Sequence, residues 1–508
     1  PYTTLFRSPA VADALIEWDW RMQDGVGAPR EPRTYAQATE RLLGRMAAAS
    51  LDKAALDKLL AAKPAPDAGD AAWEAFWLAA HQLRRALLLA DPHFQNTPLL
   101  FVKHVPSVMS HQLTQMYGYC SRPGGGIFVL ERPGASMQVR ELTPEFLEPG
   151  SFMTPELSFD AKRLLFAYCP VAEAPSAWTF DDRTTRSKSL RYHIYELSLT
   201  DGAVRKLTQG DTDNFFPLCL PSGDILFSST LRGGYHRCGR GPCFVYTLSR
   251  MGPNGESPHS ISFHETHEWD PCLLHDGRVV YTRWDYVDRN AVHYQQLWSA
   301  RPDGGNVRIF YGNNTWDPPG TWEARPIPGS HRVMATASPH HGMSAGSVVM
   351  LDVTKGVDGK EPLTRLTSDV RFPESEAPLA RGPDPSQPYD FDTAPGGYWN
   401  SPLKEAWMET SPTEEERRWP GHCYKSPWPL SETRFIASYS YDRLVGEPGP
   451  NIPNMFGLYL CDAFGNKELL YRDPNISCLW ARPLASRTPP PEVASSIEIG
   501  RASCRERV

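Results

Sequence analysis

A six-bladed β-propeller of four-stranded antiparallel blades, preceded by a small helical domain, is the fold this sequence predicts. Three observations lead there. A helical period is confined to the N-terminal part, strand-like segments recur in columns from residue 97 onward, and one column starts late and finishes last.

The N-terminal part comes first. "VADALIEWDWRMQ", "YAQATERLLGRMAAA" and "AAWEAFWLAAHQLRRALLLA" place apolar residues at helical spacing, with the Pro/Ala-rich "AAKPAPDAGDAAW" as a linker. Residues 9–92 are therefore expected to form a helical domain whose tryptophan stripe packs inward.

From residue 97 the period becomes that of strands. One column reads "LLFVKH" (99–104), "RLLFAY" (163–168), "DILFSS" (224–229), "RVVYTR" (278–283), "RVMATA" (332–337) and "RFIASY" (434–439). A second reads "GIFVLE", "HIYELS", "FVYTLS", "QLWSAR", "VVMLDV" and "GLYLCD". A third follows turns such as "TDG", "GPNG" and "PDGG", which suit tight hairpins. The fourth column precedes the first: "PELSF" (155–159), "PLCLP" (217–221), "PCLLH" (271–275), "ARPIP" (324–328), "SPWPL" (426–430) and "LWARPL" (479–484). A four-stranded unit repeated about every 54 residues is a propeller signature. The fourth column has no copy before residue 99, and its sixth copy ends the series. Residues 479–484 should therefore complete the first blade and close a ring spanning 93–490, with no sheet edge left free.

The 508 residues carry a formal net charge of −7 with no basic run, which argues against a nucleic-acid partner. No apolar stretch approaches the roughly 18 residues of a membrane span. Ten cysteines without a CxxC pair fit neither a disulfide scaffold nor a zinc ribbon. The ends, 1–8 ("PYTTLFRS") and 499–508 ("IGRASCRERV"), read as translated sequencing adapter, so the chain is expected to be a piece of a longer protein.

With the fourth column innermost, the tight turns share one face. The loops between the first and second columns, and the links between blades, share the other. His104, His111, His236, His264, His267, His293, His340, His341 and His422 fall on that second face with Cys120, Cys238 and Cys243. Long polar loops collect such residues without purpose, yet loops on a rigid scaffold also carry function. "HETHEWDP" (264–271) is the densest cluster. Its histidines are three apart and a proline follows, so the helical HExxH zinc box is a poor match. As a blade link it should bring His267 and Glu268 to the channel mouth, while Asp270-Pro271 fixes the turn into the strand, as Asp213 and Asp317 do elsewhere.

"RPGGGIFVLE", "GGYHRCGRGP", "FHETHEWDPCLLHDGRVVYTRWDYVDR", "RPIPGSHRVMATASPHHG" and "LYLCDAFGNKELLYRDPNISC" resemble the middle domain of the hydrazine synthase alpha subunit family over about residues 95–485. The resemblance implies a six-bladed, TolB-like propeller working outside the cytoplasm. It also implies partner subunits or a cytochrome c, and c-type haem, one beside a zinc ion, where ammonia is joined to a nitric-oxide-derived intermediate. This chain has no CxxCH, so covalent haem would have to come from a missing C-terminal region. Thiolate and imidazole are the ligands zinc favours, which selects His111, His236 and Cys238 as metal ligands. His267, Glu268, His340 and His341 are the residues expected at a cofactor. The insert 375–421, aromatic and Pro/Gly-rich, is expected to be a lid, a docking surface or a solvated excursion.

Two function classes follow. One is the propeller half of a haem and metal redox site. The other is a non-catalytic TolB-like module that binds a protein or polymer. Serine hydrolase chemistry is disfavoured, because no G-x-S-x-G elbow follows a strand.

Overall fold

In the computed structural model, the described residues are 9–496 apart from 27–32, 93, 95–96, 145–146, 176–188, 237–242, 288, 290–293, 316, 341, 371, 373–421, 443 and 445–449. The insert 375–421 and residues Cys238, His293 and His341 thus lie outside them.

Among the described residues, four α-helices come first: Pro9–Asp24, Tyr35–Ala48, Lys53–Leu60 and Asp70–Leu89. A capping box, Thr34 with Gln37, starts the second and satisfies two otherwise orphaned backbone N–H groups. Six four-stranded antiparallel blades follow. Blade two (Gly150–Leu157, Arg163–Pro170, His193–Ser198, Val204–Lys206) sets the pattern. The other innermost strands are Asn214–Cys219, Glu268–Leu273, Gly320–Pro326 and Cys423–Pro429 in blades three to six, and Ser477–Pro483 in blade one. That last strand pairs antiparallel with Leu99–His104, His104 lying opposite Ser477. The end of the chain therefore completes its first sheet, the arrangement the column count predicts. One parallel contact, Gln295 with Gly320, also joins blades four and five.

The inner strands differ from the expectation in one repeated way. Each begins several residues earlier than read, and each contains a β-bulge: the register slips between Met153 and Glu156, Phe215 and Leu218, Trp269 and Cys272, Trp322 and Arg325, and Lys425 and Trp428. Within the bulges Thr154, Phe216, Asp270, Glu323 and Ser426 have φ between 49° and 55°, and Trp480 in blade one has 56°. Proline follows four of the six. It looked like a strand start, but it occupies a bulge, where no ladder N–H is needed. Asp270 accordingly lies inside its strand rather than in a turn before it. The bulges are stitched around the axis. Phe216 N–H donates to Thr154 Oγ1 (3.1 Å), and Ser426 N–H donates to Glu323 Oε2 (2.6 Å).

The helices pack on the outer strand of blade six, Lys467–Tyr471. Glu468 accepts from Arg84 Nε (2.7 Å), Trp20 Nε1 (3.1 Å) and Arg85 Nη1 (3.3 Å), with the Arg84 and Glu468 side chains wholly buried. The helical region thereby covers an edge strand that would otherwise present unpaired backbone.

Candidate functional site

The segment after the first strand, 105–121, forms a buried plug over the axis, not a polar loop. Ser110, His111, Gln112, Leu113 and Tyr117 are each at most 3% exposed. The plug touches blades all around the ring. Gly118 N–H donates to Asp213 Oδ1 (2.9 Å), the Tyr117 hydroxyl to the Phe244 carbonyl (2.7 Å), and Asn451 N–H to the Val108 carbonyl (2.8 Å). The Ser110 hydroxyl oxygen accepts from Met343 N–H (3.1 Å). Asp213 also accepts from Tyr192 N–H, so its role is to anchor the plug. Its apolar and aromatic content, "VMSHQLTQMYGYC", is the sequence signal for burial.

Under the plug two of the predicted histidines meet, with His111 of the plug itself nearby. The rings of His236 and His267 lie 5.0 Å apart, centroid to centroid. His111 stands near enough that its charge would oppose protonation of His267. The walls are aromatic: Tyr246 at 4.1 Å from the His267 ring, Trp269 at 5.4 Å and Trp284 at 6.0 Å. Burial holds the His236 pKa down to about 4. It holds His267 further below the usual range, with His236, His111 and His264 adding to the effect. The His236 and His267 imidazoles are therefore neutral at pH 7, the form that binds metal.

Their unused nitrogens set them apart. Among the described residues no hydrogen-bond partner reaches either ring nitrogen of His236, Nε2 of His267, or the side-chain amide of Gln112. Structural histidines in the same shell are satisfied. His104 Nδ1 bonds the Phe152 carbonyl (2.9 Å), and His264 Nε2 bonds the Trp284 carbonyl (2.9 Å). His422 joins Tyr439 and the Asp369 carbonyl. His340 lies beside Trp284, with Nδ1 2.6 Å from Gln295 Nε2. Glu268 was expected beside His267 at the channel mouth. Its carboxylate instead accepts from Leu248 N–H (2.9 Å) and the Ser262 hydroxyl (2.8 Å), clamping blade four to blade three. Among the described residues, no group of three His, Cys, Asp or Glu side chains stands ready to enclose an ion. No helix among them is long and apolar enough to cross a membrane.

No protein-family model matches the chain, and no curated protein sequence does either. Among solved structures it is similar to hydrazine synthase of Kuenenia stuttgartiensis, with TM-score 0.51 and 14% identity over 78% of this chain and 48% of that one. It is also similar to TolB of Acinetobacter baumannii, with TM-score 0.41 and 11% identity over 80% of this chain and 72% of that one. The chain thus spans about half the length of the hydrazine synthase chain. At such identity the likeness to that enzyme is one of fold, and the fold is that of a β-propeller.

Proposed function

We propose that this chain is the propeller part of an extracytoplasmic redox protein of the hydrazine synthase alpha type. In this reading His236 and His267, with His111, supply the propeller's half of a metal site, and Cys238 is a further ligand. The observation that carries it is the set of three buried imidazole nitrogens without partners among the described residues. Leaving such groups unsatisfied costs about 1–3 kcal/mol each, a cost that a ligand would remove. The donor set fits zinc, which accepts imidazole nitrogen and thiolate. A zinc ion there would supply Lewis acidity. A c-type haem would come from a part of the protein beyond this chain, as would partner subunits or a cytochrome c.

The test is metal content by mass spectrometry after zinc loading and dialysis, comparing wild type with His236→Ala and with His267→Ala. About one zinc per chain in the wild type and a loss in both variants supports the reading. Equal content in all three overturns it.

A second reading, the TolB-like binding module, rests on a different observation. Phe263 (76% exposed), Tyr235 (57%) and Leu231 (38%) are large apolar side chains exposed on the loops of blade three. Exposed apolar groups gathered on one blade mark contact surfaces. Binding that survives loss of the histidines but not Phe263→Ser would favour it.

A further inference from the structure

The opposite half of the axis holds a cavity of about 500 Å3 that the histidine site does not use. Its wall is one layer of the propeller. Counting two residues on from each left-handed bulge residue gives Glu156, Leu218, Cys272, Arg325, Trp428 and Arg482, and all six line it. Thr154, Phe216, Asp270 and Trp480, four of the bulge residues themselves, also line the cavity. So do residues 487–491 of the segment that follows the last strand. That segment is strapped across the face. Arg487 N–H donates to the Phe159 carbonyl (2.8 Å) on blade two, and Ser496 N–H to Asp303 Oδ2 (2.7 Å) on blade four.

The charges in this cavity do not balance. Arg325, Arg482 and Arg487 face it, and one carboxylate, Glu156, serves two of them. Arg482 Nη1 lies 2.6 Å from Glu156 Oε2, and Arg487 Nη2 bonds Glu156 Oε1. Nε of Arg482 and Nε of Arg487 are buried without partners among the described residues. Arg482 is only 4% exposed. The hydrogen bond of Arg325 runs to the Ala324 carbonyl of its own strand, and no carboxylate lies within ion-pair distance of it among the described residues. The remaining lining acid, Asp270, is pushed up by burial and by the neighbouring Glu323, while its field and those of Glu323 and Glu156 favour the charged form of Arg325 without pairing it directly. Burial and crowding by Arg325 and Arg487 push Arg482 down to about 10. One buried arginine, Arg482, and two partly exposed ones, Arg325 and Arg487, with aromatic walls from Trp428 and Trp480, form a site of defined chemistry.

We propose that this axial cavity binds a small organic carboxylate, with its carboxylate between Arg325 and Arg482 and its apolar body against Trp428 and Trp480. Planar guanidinium groups match a carboxylate in two parallel hydrogen bonds, and the volume suits a ligand of metabolite size. The site lies across the axis from the histidines and does not depend on the metal reading.

Titration calorimetry of the whole chain with benzoate, citrate, inorganic phosphate and benzamidine tests it. Benzoate is expected to bind with Kd below about 1 mM, and benzamidine not to bind. Arg325→Gln and Trp428→Ala should each weaken benzoate at least about tenfold, the effect of losing one charge-assisted contact or one aromatic wall. His236→Ala should leave it unchanged. Wild type that binds neither benzoate nor citrate overturns the proposal, as does binding of phosphate alone, or of benzamidine as tightly as benzoate. Unchanged benzoate affinity in either variant also overturns it. Should Arg325→Gln fail to fold, the wild-type titrations and Trp428→Ala still decide.

Discussion

His236 and His267 face each other with ring centroids 5.0 Å apart, and three of their four ring nitrogens have no partner among the described residues. A histidine kept for packing would bond a neighbour, as His104 does with Phe152. The two cases respond oppositely to substitution. His236→Phe removes two buried unsatisfied nitrogens and keeps a ring of similar size, so it is expected to be neutral or stabilising by up to about 2 kcal/mol. His104→Phe breaks a satisfied bond and orphans a carbonyl, at a cost of about 1–3 kcal/mol. Urea unfolding of the two variants checks this. A large loss of stability in His236→Phe would make that residue structural.

The same burial gives an acid dependence. Burial holds His104 to a pKa of about 4 against an ordinary value of 6.5, although its bond to the Phe152 carbonyl works the other way. The folded pKa is depressed, so below pH 6.5 the unfolded chain takes up the proton first. The contribution to stability is complete above about 6.5 and is lost progressively as pH falls toward 4. At pH 5 the loss is on the order of 2 kcal/mol for this residue. His104→Gln should be less stable at pH 7 but show a shallower decline from pH 7 to 5, read as unfolding free energy at each pH. A parallel decline would remove His104 as a cause.

Periodicity made the ring legible, because a strand's side chains alternate and its turns need particular residues. The pairing of Ser477–Pro483 with Leu99–His104 followed from counting columns alone. The bulges were not legible, because Thr154, Phe216 and Trp480 are not residues that announce a left-handed backbone. Their positions are set by the crowded axis of the ring. Sequence reasoning placed His111, His236 and His267 on one face, but residue type could not separate them from His104, His264 and His422. The difference is which nitrogens find a carbonyl, a matter of tertiary packing. The Arg325 and Arg482 layer was missed for a similar reason. Both stand in a column read only as strand, and their shared depth appears once the bulges align the blades.

The helical cap offers a mutational test. Arg84 and Glu468 form a fully buried ion pair between the fourth helix and the outer strand of blade six. Glu468→Gln leaves Arg84 and Arg85 without their carboxylate, and loss of one partner of a buried pair costs about 3–5 kcal/mol. The double variant Arg84→Met with Glu468→Leu removes both charges and should recover much of that loss. Thermal unfolding of the single and double variants measures it. A double variant no better than the single would place the stabilisation in the Trp20 and Arg85 contacts to the same carboxylate.

The last strand should matter more than its length suggests. Ser477–Pro483 contributes Cys478, Leu479, Trp480 and Ala481 to the core, and Arg482 to the pair with Glu156 of blade two. Removing it strips blade one of its inner strand, bares the Leu99–His104 edge and leaves Glu156 with neither Arg482 nor Arg487. A chain ending at Asn475 is therefore expected to lose cooperative unfolding of all six blades, not of one, because each blade's inner strand packs on its neighbours. A milder change separates closure from core loss. Arg482→Met keeps the strand and its pairing with Leu99–His104, and Glu156 keeps Arg487, so the ring should stay closed with a stability loss of about 1 kcal/mol. Hydrogen exchange at the strands of blades three and four, far from the cut in sequence, reads the outcome. Protection there should collapse in the truncated chain and persist in Arg482→Met. Blades three and four that remain protected after truncation would show that the ring does not depend on its last strand.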